Sequence, residues 1–240
     1  MGRTWIEDIR TWSSPHPEDD GISLIQKTLE EFSGSSKTIG MPMGVESVLR
    51  MPLTDFVTLQ EQMKGFHFRD ATPLIRQLRM IKSEREIEKI SHVCQMVSNV
   101  FESLPEWIFE EPTETDVFRR FKMECLQQGV DDVSYLVGGA GPGGYSDIIS
   151  PPSGKKITPG DVLILDTGCV FDGYFCDFDR NYALEHADDA VRKAYRVVYQ
   201  ATEAGFEAAV VGNTTADVFQ AMNQVLESNG AKGGRVGRMG

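Results

Sequence analysis

The chain has 240 residues, 40% hydrophobic and 25% charged, which is ordinary globular material for one large domain or two smaller ones and excludes a disordered chain. With 24 Lys and Arg against 36 Asp and Glu, its net charge of −12 offers no basic footprint for a phosphate backbone, so nucleic acid is excluded as the expected partner. No apolar run approaches the ~20 residues that span a bilayer, and "MGRTWIEDIRTW" lacks the apolar core of a signal peptide, so no membrane partner and a cytoplasmic location are expected.

In chain order, "ISLIQKTLEEF" has helical periodicity, "KTIGMPMG" reads as a short strand running into a turn, and "VESVLRMPLTDFVTLQEQM" reads as mostly helical. A helix arrives before any convincing first strand, which suggests the latter part of an α/β domain. "RDATPLIRQLRMIKSEREIEKISHVCQMVSNVFESL" carries Leu74, Leu78 and Ile81. After Ser83, an N-cap candidate with Glu86 three residues on, comes a long amphipathic run. The domain boundary is placed here, with residues 1–75 in the first domain and 76–240 in the second. A second helix is expected from Thr113, where "TETD" supplies a cap and acidic first-turn residues, closing on Gly129. "DDVSYLVGGAGPGGYSDIISPPSGKKITPGD" is a strand that dissolves into glycines and prolines, and so long an irregular segment is expected to be functional. Its glycines are followed by neither a helix start nor Gly-Lys-Ser/Thr, so they read as a substrate-lining loop rather than a phosphate cradle. Two helices close the chain, the first ending near Gly212 and the second at Gly230.

Between loop and helices lies "LDTGCVFDGYFCDFDR". Asp172-Gly173 between two β-rich runs signals a tight hairpin. A two-residue loop pairs Phe171 with Tyr174, Val170 with Phe175, Gly168 with Asp177 and Asp166 with Asp179. Side chains alternate along a strand, so Asp166, Asp177 and Asp179 share one face. Three mutually repelling carboxylates among apolar residues need compensation, and a divalent metal is the leading candidate, with a merely solvated face as the alternative. Gly168, opposite Asp177, is expected to leave open space there. Cys169 faces Cys176 on the other side, and with no CxxC among the four cysteines free thiols are expected.

On these residues the sequence resembles peptidase family M24, the pita-bread fold of Xaa-Pro aminopeptidases, prolidases, methionine aminopeptidases and creatinase. "LDTGCVFDGYFCDFDR" is similar to the family's D-x-G … D-x-[ST]-R hairpin, with Asp166 and Asp177 eleven positions apart. "LRMIKSEREIEKI", "ITPGDVLILDTG" and "GRVGRMG" are similar to the family's domain-opening helix, its run into the first ligand and its segment before Gly-His-Gly. The resemblance implies an α/β (α+β) pita-bread domain over 76–240, incomplete at its C-terminus, preceded by part of a creatinase/prolidase-type N-terminal domain over 1–75. It implies Asp166 and Asp177 as ligands of one or two Mn²⁺, Fe²⁺, Co²⁺ or Zn²⁺ ions. The implied reaction is hydrolysis of peptide or small-amide C–N bonds, Xaa-Pro peptides included, in a possible homodimer.

Three departures qualify it. The family's further histidine and two glutamates would follow Gly240, so these 240 residues by themselves are expected to be inactive. The loop before the hairpin lacks the family's substrate-side histidine; Tyr145 or Asp147 stands near its place, with Tyr145 taken as the substrate-binding candidate, which tilts expectation toward an atypical substrate. Asp179 replaces a hydroxyl residue and is the catalytic candidate, as acceptor of a proton from the attacking water; an ion pair with a nearby cation is the alternative. Creatinase-like or lyase chemistry on the same fold, or a non-catalytic binding protein, are the rival functions. His16, His67, His92 and His186 are read as surface or packing residues.

Overall fold

The computed structural model describes residues 5–45, 47–110, 113–145, 147 and 149–231, so "GRVGRMG" lies outside the described residues. The chain divides into two compact units, residues 1–83 and 84–240.

The first unit contains α1 (Ile22–Phe32), β1 (Thr38–Met41), α2 (Leu53–Gln62), β2 (His67–Asp70) and α3 (Thr72–Met80). Strands β1 and β2 pair in parallel, from Thr38 with His67 to Met41 with Asp70, joined by the α2 crossover. One expectation fails here and one strand goes unexpected. Helix α2 begins only at Leu53, after Pro52 as N-cap, because a residue before proline is disfavoured in the α region and Met51 cannot continue a helix into it. Strand β2, which the sequence reading lacks, is four residues long, too short for alternation to register. Position 75/76 falls within α3, whereas the two compact units part just after it.

The second unit contains α4 (Glu84–Trp107), α5 (Glu114–Gln128), β3 (Asp132–Pro142), β4 (Asp161–Phe171), β5 (Tyr174–Ala183), α6 (Asp189–Ala208) and α7 (Thr215–Ser228). Helix α5 starts where Thr113 Oγ1 accepts from the Asp116 amide at 3.2 Å and ends at Gly129, with φ of 103°. Helix α6 stops at Ala208, short of the expected Gly212. Strands β3, β4 and β5 form an antiparallel meander in that order. The apolar stripes of α4 and α5 cover one face: Val93, Val97, Val100 and Leu104 meet Val117, Phe118 and Phe121 over Leu163, Leu165 and Cys169. All four cysteines are free.

The β4–β5 turn has φ of 48° at Asp172 and 81° at Gly173, the two left-handed residues that match a turn to strand twist. Space around Gly173 is open, so Gly173→Ala should cost only its backbone strain, roughly 1 kcal/mol. A urea unfolding midpoint unchanged from the parent would refute that. The turn is also held to α4, where Lys89 Nζ lies 2.6 Å from Asp172 Oδ2 and the Tyr174 hydroxyl donates to Glu86 Oε1 at 3.1 Å. The hairpin register is therefore fixed at its tip.

Candidate metal centre on the open face of the sheet

Register decides what meets on the face turned away from α4 and α5. Asp166 pairs with Asp179, Gly168 with Asp177 and Val170 with Phe175, the pairing expected from a two-residue loop. The three aspartates accordingly share one face, as strand alternation demands. Val162 and Ile164 are buried on it, but Phe175 is exposed, so the face is apolar at one end and open at the other.

Strand β3 adds what the sequence reading lacked. The Tyr135 hydroxyl donates to Asp166 Oδ1 at 3.2 Å and lies within hydrogen-bonding reach of Asp177 Oδ1. Two carboxylates thus converge on one point. Gly168 does not leave the open space expected of it: a methyl group there would overlap Tyr135 Cε1 and Phe175 Cζ, because the two rings lie over the glycine. The glycine makes room for side chains from the neighbouring strands.

Burial pushes the Asp166 carboxyl above its ordinary range; the Tyr135 hydrogen bond opposes this, and the charges of Asp177 and Asp179 add to it. Burial likewise raises Asp179, against the pull of Arg180 and with the push of Asp177. Arg180 is no ion-pair partner for it: its Nη1 donates to the Asp179 backbone carbonyl at 2.7 Å, and its guanidinium sits 5.1 Å from the Phe178 ring centroid. Among the described residues no Lys or Arg forms an ion pair with any of the three aspartates. Asp177 and Asp179 are exposed to water, which leaves the solvated face open as the alternative for these two, whereas Asp166 is half-buried.

Asp179 instead accepts from Asn181 Nδ2 at 3.3 Å, and Asn181 Oδ1 accepts from the Tyr145 hydroxyl at 2.6 Å. Tyr145 is thereby tied to the acidic face, and burial followed by the Asp179 charge raises its phenol. Asp147 is exposed and occupied locally, its Oδ1 accepting from the Ile149 amide at 3.0 Å. His92 packs against Phe171 with centroids 4.8 Å apart.

The loop bearing Tyr145 is anchored by Glu114, at the first turn of α5. Its Oε1 accepts from the Ala140 amide at 2.9 Å; its Oε2 accepts from the Ser153 amide at 3.0 Å and the Ser153 hydroxyl at 2.6 Å. Lys155 Nζ donates to the Ala140 carbonyl at 2.6 Å. The loop therefore has a fixed footing on α5 and β3 despite its glycines.

Among the described residues no three His, Cys, Asp or Glu side chains assemble into a metal cluster. The chemistry of Asp166 and Asp177 nevertheless fits a divalent cation: two carboxylates drawn together at the Tyr135 hydroxyl, with no Lys or Arg ion-paired to either among the described residues. No helix among the described residues is long and apolar enough to cross a membrane.

Comparison with known proteins places the chain in a family. Residues 88–240 match the model of metallopeptidase family M24. A protein of Mycobacterium tuberculosis named probable dipeptidase PepE is 30% identical over 161 residues, 67% of this chain and 43% of that protein. An Xaa-Pro dipeptidase of Pyrococcus horikoshii is 24% identical over 206 residues, covering 85% of this chain and 57% of its own. Among solved structures, a dipeptidase from Pyrococcus horikoshii OT3 superposes with a TM-score of 0.76 at 24% identity, over 90% of this chain and 58% of that one. The chain thus spans about half the length of the curated relatives it matches. A mixed α/β chain with the pita-bread fold of these neighbours, matched by the family model over more than half its length, belongs to metallopeptidase family M24.

Proposed function

We propose that the full-length protein is a metal-dependent hydrolase of peptide C–N bonds, acting on short peptides that include the Xaa-Pro class. The observation that carries this reading is the meeting of Asp166 and Asp177 at the Tyr135 hydroxyl, on a face where no Lys or Arg among the described residues pairs with them. The names of the relatives, dipeptidase and Xaa-Pro dipeptidase, support the substrate class.

In this reading Asp166 and Asp177 hold one or two divalent ions, Mn²⁺, Fe²⁺, Co²⁺ or Zn²⁺, with further ligands outside the described cluster. When bound, the metal supplies positive charge that polarises the scissile carbonyl and makes water a nucleophile near neutral pH. Asp179 stands opposite Asp166 and accepts a proton from the attacking water at its carboxylate. Asn181 orients that carboxylate, and Tyr145 holds Asn181 from the loop side while lining the approach for substrate. The unit formed by residues 1–83 is the latter part of a creatinase/prolidase-type N-terminal domain, and the working protein is a homodimer in the cytoplasm.

The test uses the full-length protein, stripped with a chelator and reloaded with Mn²⁺ against paired Xaa-Pro and proline-free dipeptides. Release of free amino acids that appears only on reloading is the expected result. Tight dipeptide binding with no turnover in the reloaded protein would instead mean a binding protein, and turnover independent of metal would mean creatinase-like chemistry.

A further inference from the structure

Tyr135 stands on the acidic face only because β3 breaks its own alternation. Asp132 pairs with Val170 and Val133 with Cys169, but Tyr135 then pairs with Gly168, the register shifting between Val133 and Tyr135. Ser134 is the extra residue of a bulge. In regular pairing Ser134 would lie opposite Gly168 and Tyr135 opposite Thr167, whose side chain is fully buried beneath α4 and α5. A one-residue slip flips a side chain to the other face, and a bulge applies that flip locally. The packing records it: Val133 packs against the helix-covered core, whereas Tyr135, two residues on, reaches Asp166 and Asp177.

The second support is Gly168. Tyr135, Gly168 and Asp177 form one row across β3, β4 and β5. To bring its hydroxyl from β3 to a carboxylate on β5, the Tyr135 ring must lie across the middle strand, and only a residue without a Cβ leaves room for it. Phe175 closes the far side, its ring centroid 6.3 Å from that of Tyr135. One hydroxyl, on a ring held by packing on both sides, thus tethers carboxylates from two different strands.

We infer that Tyr135 is a positioning residue for the Asp166–Asp177 pair, holding both carboxylates converged so that a divalent cation meets preset ligands, with the Ser134 bulge and Gly168 as its supports. The inference rests on the metal-centre reading above. A group that orients a ligand through a hydrogen bond typically contributes about 10- to 100-fold in metal affinity, because without it the ligands must be ordered at the moment of binding.

The deciding variant is Tyr135→Phe in the full-length protein, which removes the hydroxyl and keeps the ring over Gly168. Isothermal titration with Mn²⁺ should show affinity about 10- to 100-fold weaker. The Co²⁺-loaded protein should show an altered visible d–d spectrum, which a general loss of stability does not produce. Thermal unfolding of the stripped variant should stay close to that of the stripped parent. Gly168→Ala, which displaces the ring without touching the hydroxyl, should weaken Mn²⁺ binding in the same direction. If the parent binds Mn²⁺, Asp166→Asn weakens that binding and Tyr135→Phe leaves affinity and spectrum unchanged, the positioning role is wrong and the metal centre stands. If the parent binds no Mn²⁺, both fall together.

Discussion

Asp166→Asn and Asp177→Asn, each made in the full-length protein, are expected to lower peptide hydrolysis on the order of 10³-fold. A metal contributes several kcal/mol of transition-state stabilisation, and each 1.36 kcal/mol is a factor of ten in rate. An amide keeps the shape of the carboxylate but loses its charge, so the rate loss should track a loss of bound metal measured by elemental analysis. The stripped protein should respond differently. Burial works against the charge of Asp166, with Asp177 and Asp179 adding repulsion, so the stripped Asp166→Asn variant should unfold at a temperature no lower than the stripped parent. Falling activity with no penalty to the metal-free fold is the signature of a residue kept for chemistry. A variant that retained full metal content and full rate would remove Asp166 or Asp177 from the centre.

Glu114→Ala should cost about 3 to 5 kcal/mol of stability. Glu114 is 5% exposed and receives three hydrogen bonds, so truncation strands the Ala140 and Ser153 amides with no acceptor. The effect has a pH signature. Although burial works to raise it, the Ser153 hydroxyl, the Ala140 and Ser153 amides and the Lys155 charge hold the Glu114 carboxyl below its ordinary value. A carboxyl depressed on folding stabilises the native state above its unfolded pKa, about 4.3, and that contribution disappears as pH falls through the lower folded value. The stability difference between parent and Glu114→Gln should therefore be full at pH 6 and shrink as pH falls below ~4.3. Denaturant midpoints from pH 2 to 7 measure it, and a difference constant over that range would refute the linkage. Because the same carboxylate fixes the loop bearing Tyr145, Glu114→Ala should also loosen that loop, read as faster amide hydrogen exchange over residues 149–156.

The site residues divide by how local their causes are. Asp166, Asp177 and Asp179 were legible because a two-residue turn sets the pairing of everything on either side of it, and alternation then assigns faces. Tyr145 was singled out by its place in the loop, but its link to Asp179 runs through Asn181, which no pattern marked. Tyr135 escaped notice because regular alternation groups it with Val133 and Val137, and nothing in "DVSYLV" announces the extra residue that turns it over. Gly168 was marked as special for the wrong reason: a glycine opposite an aspartate reads as empty space until the rings of neighbouring strands are in place.

The family was thus legible in the resemblance of its motifs, and the two-carboxylate hairpin was determined by the order of residues, through a turn and an alternation that act over a few positions. So were the boundaries of α5, since Thr113 and Gly129 act within one turn of the helix. The tertiary structure alone decided that Tyr135 bridges the aspartates, that Glu114 holds the loop between β3 and β4 and that Gly168 underlies two aromatic rings. Each of these joins residues tens of positions apart, whose meeting depends on a bulge, a register and the packing of several elements at once. No local pattern encodes such a meeting, because its free energy exists only when all the partners are already in place.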